Sequence, residues 1–466
     1  MKVTLLGHAS VLVEMTGATC LMDPVFFDPF EEGAVCSCPA RVVYPERLPG
    51  VDVLIVSHRH PDHFDIASLD CVRRGCEVIC PADPLIIYGL RRLGFERIHP
   101  VEPMGEISGA DFELYPTRSE APVREFGMVF KDGSGVFFNQ VDGPLSTETI
   151  DTVRARFGRP DLMFAMYASQ NFDFFENQRA LFPYETHCRN LDTVVRMRPR
   201  MVVPGSAGFR FCGENAWLNA FLFPISARRF AADVRALDPE IETGVAMPAD
   251  VFEISGEKVC YMPRASTVAQ LKEDDSHLID FDPTAAVPPL ADPNPDAYSA
   301  SELEKITRHF IAEQLAAFAF GPDAAGDPVV RAHRQHRAQY AVGVVLPGRA
   351  TRWYRFDFAS EPGGFSTSDG PGASSDLVHR VAASALCGWI ARRKSFFYVR
   401  AYSRRFTTLY RLERAGDAAR VTPVAIPDLL MHFLLNVAPG SATAARRHID
   451  LELEALARRK GMPATS

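Results

Sequence analysis

The segment Ser57-His58-Arg59-His60-Pro61-Asp62-His63 puts three imidazoles and a carboxylate within six residues. Borderline-soft nitrogen and hard oxygen donors at that density suit two adjacent divalent cations. In an extended stretch that then turns, His58 and His60 point the same way with period two, and Asp62 and His63 reach a neighbouring point. A chance cluster on a polar loop is the bland alternative. Four potential ligands in six residues make it a poor one. A metal site also needs a rigid base. The apolar run Val51–Val56 (VDVLIV) directly before it predicts a strand buried on both faces, with the imidazoles at its carboxyl end.

Around that strand, residues 1–270 read as alternating strands and helices. Val3–Leu6 and Val11–Glu14 suggest an opening hairpin, and Cys20–Met22 runs as a third strand into Asp23-Pro24. Phe112–Tyr115, Phe126–Phe130 and Val136–Asn139 follow as strands, the last two joined by the turn at Asp132-Gly133. Helices are predicted over Thr147–Phe157 and Glu185–Met197, with strands at Asp161–Met166 and Met201–Pro204. A meander followed by alternation suggests two sheets between helical layers. Asp282–Asp296 holds five prolines in fifteen residues, so 271–298 is predicted as a Pro-rich linker. Beyond it, 299–466 reads as a C-terminal α+β domain, expected to pack near the metal edge. Its helix begins at a Ser299/Glu302 capping box. Strands are expected at Tyr340–Leu346, Trp353–Phe358, Phe396–Ala401 and Thr407–Leu412, and helices over Leu377–Arg392 and Ile426–Val437.

The chain has 466 residues, 47% of them hydrophobic and 23% charged, with a net charge of −8. That is an ordinary globular composition, and it argues against non-specific nucleic-acid binding, which needs clustered basic charge. No apolar run approaches the ~20 residues of a membrane span. The opening MKVTLLGHASVLVE lacks the order of a signal peptide. With ten cysteines at ordinary density, the expected setting is a cytoplasm that keeps them reduced.

The HxHxDH pattern at His58, His60, Asp62 and His63 resembles the metallo-β-lactamase superfamily. Gly7-His8-Ala9-Ser10 and Asp23-Pro24 are similar to its branch containing L-ascorbate-6-phosphate lactonase and N-acylphosphatidylethanolamine phospholipase D. The resemblance covers about residues 1–260. It implies an α/β fold, the αββα metallo-β-lactamase sandwich, as a catalytic domain over 1–270 with a dinuclear site at one sheet edge. It also implies a bridging aspartate in the turn after a strand, which here is Asp142 in Asn139-Gln140-Val141-Asp142-Gly143. Hydrolases of the branch carry a further histidine before the preceding strand, yet no histidine lies between His99 and His187. Glu120 is the nearest replacement and Glu125 the second choice. Their last histidine is also missing: Ser206 stands near its place, and His187 is the candidate to compensate.

Exchanging imidazole for carboxylate raises the negative charge around the metals and favours iron over zinc. Such a site is similar to that of the β-hydroxylase of the chloramphenicol pathway. Asn139–Gly143 and Pro204–Phe209 resemble the lactamase-like part of CMP-N-acetylneuraminate hydroxylase, although no Rieske-type Cys/His pairs are present here. The expectation is therefore a non-haem diiron oxygenase that hydroxylates or N-oxygenates a small metabolite and draws electrons from a separate donor. Asp62 and Glu120 are its catalytic candidates, and Glu214, Asn215 and Trp217 could hold substrate. The alternative is a zinc or manganese hydrolase of a phosphodiester, lactone or amide, with Asp62 orienting a metal-bound hydroxide.

Overall fold

The computed structural model describes residues 1–168, 182–348, 350–407, 410–414 and 421–461. The chain divides into two compact units, one built from 1–168, 182–285 and 452–461, the other from 286–451.

In the first unit an eight-stranded sheet is centred on Lys2–Gly7, Ser10–Met15, Ala18–Met22 and Val53–Ile55. The first three strands are antiparallel neighbours; from Ala18–Met22 onward the pairing is parallel, through Val53–Ile55 to Glu77–Pro81. Burial on both faces explains why Val53–Ile55 reads as an unbroken apolar run. A seven-stranded sheet runs through Phe112–Arg118, Phe126–Asp132, Gly135–Asn139, Leu162–Met166 and Met201–Gly205. It changes from antiparallel to parallel pairing after Gly135–Asn139. Leu5, Val13 and Met22 of one sheet and Met128, Phe137 and Leu162 of the other share a single buried core. The helices Thr147–Phe157, Tyr184–Met197 and Ala227–Leu237 each bury one stripe. The result is an αββα sandwich. Strand Ala269–Glu273 pairs with Ala40–Val43, and the turn Ser276–Ile279 follows, both within this unit.

The second unit is built on the sheet Gly364–Ser368, Thr351–Asp357, Gln339–Val345, Leu377–Ala382 and Ser403–Thr407. Its core gathers Tyr340, Val342, Phe356, Val381 and Leu430. The Ser299/Glu302 capping box is present. Two predicted elements are corrected. Leu377–Ala382 is a strand parallel to Gln339–Val345, and the helix begins only at Ala383. Phe396–Ala401 is a helix, not a strand, because Ser395 caps it by accepting the Tyr398 amide at 3.1 Å. The predicted strand Thr407–Leu412 includes positions outside the described residues.

His448 stacks on Trp389 in this unit, and its Nε2 is buried without a partner among the described residues. Burial, with Arg392, Arg447 and Lys394 nearby, holds its pKa down at about 4. A histidine depressed in the folded state contributes stability above its unfolded pKa of ~6.5 and loses it as pH falls through the folded value. Stability of this unit should therefore drop by up to roughly 3 kcal/mol between pH 6.5 and 4. His448→Phe should flatten that slope in denaturant titrations across the range; an unchanged slope would assign the acid sensitivity elsewhere.

Candidate metal centre

The loop after Val53–Ile55 turns at once. His63 and Phe64 amides donate to the His60 carbonyl at 2.9 and 2.8 Å, and Asp65 caps the helix Ile66–Asp70. The turn gathers the imidazoles. His58 Nε2 lies 2.9 Å from His60 Nδ1. His63 Nε2 lies 3.6 Å from Asp62 Oδ2 and 3.6 Å from Asp142 Oδ2, and His58 Nε2 is 3.9 Å from the same Asp142 oxygen. Two overlapping ligand groups result, His8/Asp62/His63 and His58/His63/Asp142.

A buried carboxylate orients the rings. Asp23, fully buried, accepts from the Ser57 amide at 2.7 Å, the Ser57 hydroxyl at 2.6 Å and His63 Nδ1–H at 3.0 Å. With its proton given to Asp23, the Ser57 oxygen accepts from His58 Nδ1 at 3.0 Å. Both rings are thereby held with Nδ1 protonated and the Nε2 lone pair turned inward, the outer-shell arrangement that metal-binding histidines need. His8 is fixed as well. The Gly208 amide donates to its Nδ1 at 3.1 Å, so its Nε2–H donates to Asp62 Oδ2 at 3.1 Å. A Cβ at Gly208 would sit 2.8 Å from the His8 backbone, so only glycine lets the two loops approach. His8, Asp23, Val141 and Ser206 all adopt positive φ, at 49°, 48°, 59° and 60°. For the β-branched Val141 this is strain of order 1–3 kcal/mol, and it lies directly before Asp142.

The residues fit divalent cations. Two imidazole nitrogens each ~2.1 Å from one ion, at about a right angle, lie roughly 3 Å apart, close to the His58–His60 separation. Among the described residues, His63 Nε2 and Asp142 Oδ1 are buried with no hydrogen-bond partner. Burial disfavours charge on His63, yet Asp142, Asp62 and Asp23 push its pKa up to about 10. Burial, with His63 and His60 beside it, holds His58 well below the usual histidine range. Carboxylates that draw a proton onto a buried ring would be satisfied equally by a dication.

Other sites fall outside this cluster. Glu120 is exposed, with its backbone amide bonded to the Pro144 carbonyl. Glu125 is buried; its Oε1 accepts from Ser119 Oγ at 2.5 Å, and it sits against Gly143. Burial and the neighbouring Asp142 push its pKa up to about 7. Of the two glutamates, Glu125 is therefore the one turned toward the centre. Burial and Asp62 likewise hold Glu31 well above the carboxylate range. His187 does not join the centre, because its Nε2 is committed to Asp233 at 2.9 Å on the face shared with Ala227–Leu237. Glu214 is exposed and Asn215 buried, while Trp217 packs edge-on against Phe221, all within a 3-10 turn and the segment after it. Sequence reasoning quoted His8 and Asp23 as motif residues without giving them roles, and missed Glu31. Their signal was position: each lies at the end of an opening strand or in the loop just beyond.

Asp23→Ala should strand three buried donors at once. The expected loss is about 3–5 kcal/mol in denaturant unfolding of the metal-free protein, and a loss under ~1 kcal/mol would mean that the loop repacks without it.

Residues 2–143 match the family model described as beta-lactamase superfamily domain. A Mycolicibacterium smegmatis protein bearing the name Rieske 2Fe-2S iron-sulfur protein is 30% identical over 190 residues, 36% of this chain and 34% of its own. A metal-dependent hydrolase of Aeropyrum pernix is 31% identical over 98 residues, 21% of this chain and 34% of its own. The chain thus spans about a third of the length of these curated relatives. Among solved structures, the isothiocyanate hydrolase from Delia radicum gut bacteria is 16% identical over 55% of this chain and 100% of its own, with a TM-score of 0.41. The diiron β-hydroxylase CmlA of Streptomyces venezuelae is 19% identical over 44% and 45%, with a TM-score of 0.34. The part of the chain that matches the beta-lactamase superfamily domain, residues 2–143, holds the HxHxDH loop and Asp142.

Proposed function

We propose that the chain is a dinuclear metalloenzyme of metallo-β-lactamase fold, with iron as its metal, which oxygenates a small metabolite. The observation that carries this reading is the buried Glu125 beside Asp142, in a site with no imidazole at either position where hydrolases of the branch have one. His58, His60 and Glu125 would hold one ion, Asp62 and His63 the other, with Asp142 between them. Two irons supply the redox capacity to activate oxygen, which zinc lacks. The chain's own residues do the rest. Asp23 and Ser57 fix the ring tautomers, and His8 holds Asp62 by donating from Nε2. Glu125 is held beside Asp142 by the Ser119 hydroxyl, which donates to its Oε1. Electrons would come from a separate donor, and the Rieske name borne by one relative fits such redox traffic.

A second reading, hydrolysis with zinc or manganese, is favoured by the hydrolase name of the other relative. Asp62, held by His8, would then orient the attacking water.

The glutamates test the ligand set. Glu125→Ala should lower bound metal from two ions to one per chain, whereas Glu120→Ala should leave both. Metal loss in the Glu120 variant alone would overturn the assignment. Oxygen uptake tests the reaction: iron-loaded protein should consume oxygen when given a reductant, and zinc-loaded protein should not. Equal, reductant-independent behaviour of the two forms would remove the oxygenase reading.

A further inference from the structure

A cavity of about 770 Å³ has His8, the partner of Asp62, in its lining, and all of its lining residues belong to the first unit. Gly205, Ser206 and Gly208 also line it, the segment where the resemblance places the last histidine of the branch's hydrolases. Its volume is that of a small-molecule site, which typically spans roughly 300–1,000 Å³. Phe164, Tyr167, Phe223, Ile225, Met247 and Phe281 supply apolar lining.

Charge appears only as a balanced set. Arg228, Arg229, Asp274 and Asp280 line it, two of each sign, along with His277. Most of these groups are already engaged. Arg229 Nε binds Asp233 at 2.8 and 2.9 Å, and Asp274 accepts from Ser276 Oγ at 2.5 Å. Arg228 lies near enough to Asp274 to help hold that carboxyl below its usual range. The Ser226 hydroxyl accepts the Arg229 amide at 3.2 Å as a helix cap. The charged lining residues sum to zero and most already have partners, so an ionic ligand would find no free countercharge there, and an unpaired buried charge is costly.

We infer that this cavity binds an uncharged, largely apolar small molecule and delivers one end of it to the centre at His8. The inference rests on the metalloenzyme reading above for its catalytic meaning, but the binding itself does not depend on it.

Two fluorescent probes of nearly equal size make the test, each titrated against the metal-loaded full chain. N-phenyl-1-naphthylamine is uncharged, and 1-anilinonaphthalene-8-sulfonate carries one negative charge. The neutral probe should saturate at one per chain with an affinity indifferent to salt, and the sulfonate should bind about tenfold more weakly or worse. Ala227→Trp, at the first turn of a helix, should fill the cavity; Ile279→Glu, in a surface turn, should place a charge in its wall. Both positions are part-exposed, so the fold should persist. Each variant should weaken the neutral probe at least ~10-fold while leaving metal content unchanged. Tighter binding of the sulfonate, absence of binding, or unchanged affinity in both variants would overturn the inference. Protein that binds the probe but holds no metal would overturn the metalloenzyme reading instead, so the two failures separate.

Discussion

Asp142→Ala protein is expected to fold normally and to lose more than ~100-fold in affinity for its second metal ion, with turnover falling in parallel. The fold should survive because the side chain is one-third exposed. The metal should not, because Asp142 Oδ2 stands 3.6 Å from His63 and 3.9 Å from His58, and Oδ1 has no hydrogen-bond partner. Replacing an outer-shell partner of a metal ligand typically costs 10–100-fold in affinity, so removing a bridging ligand should cost more. Competition with a chromophoric chelator measures this directly. The strained Val141 sharpens the test: Val141→Gly should relieve the backbone yet weaken metal binding, because the strain holds the carboxylate over the imidazoles. Two ions held at wild-type affinity in Asp142→Ala would remove it from the site.

The placement of Asp142 near the imidazoles was readable because both lie at strand ends, and strand ends are set by short-range patterning. The run Val51–Val56 marks a central strand, and whatever follows must emerge at a sheet edge. The turn after Asn139 obeys the same rule. Glu120 and Glu125 were harder to tell apart. They lie in the loop between two antiparallel strands, where no side-chain period decides which residue turns inward. What decides it is the Ser119–Glu125 hydrogen bond and the close approach to Gly143, neither of which has a sequence signature. His187 misled for a related reason. Its partner Asp233 is 46 positions away on another helix, a tertiary contact invisible to spacing. Asp23 was visible only as part of a motif; its three hydrogen bonds appear once the ends of Ala18–Met22 and Val53–Ile55 converge. In the second unit, a serine cap turned the aromatic run Phe396–Ala401 into a helix against its strand propensity.

As-isolated protein grown without added metal is expected to carry about two irons per chain, the outcome that divides oxidation from hydrolysis most sharply. A hydrolytic centre works by lowering the pKa of bound water to about 7, and zinc suffices for that. Asp62 and Asp142 lie among the loop histidines, with Glu125 close enough to feel Asp142 and Glu31 close enough to feel Asp62, and burial with these like-charge neighbours raises both glutamates. Added anionic donors make a site harder and electrically richer, which suits iron in two oxidation states better than zinc in one. Reduced protein exposed to oxygen should then develop an optical transition that zinc-loaded protein lacks, and Glu125→Ala should abolish it while Glu120→Ala retains it. Stoichiometric zinc without iron, together with turnover of a model phosphodiester or lactone in the absence of oxygen and reductant, would sink the oxygenase reading. In that case the same geometry would act through Asp62, held by His8, as the group that orients water for hydrolysis.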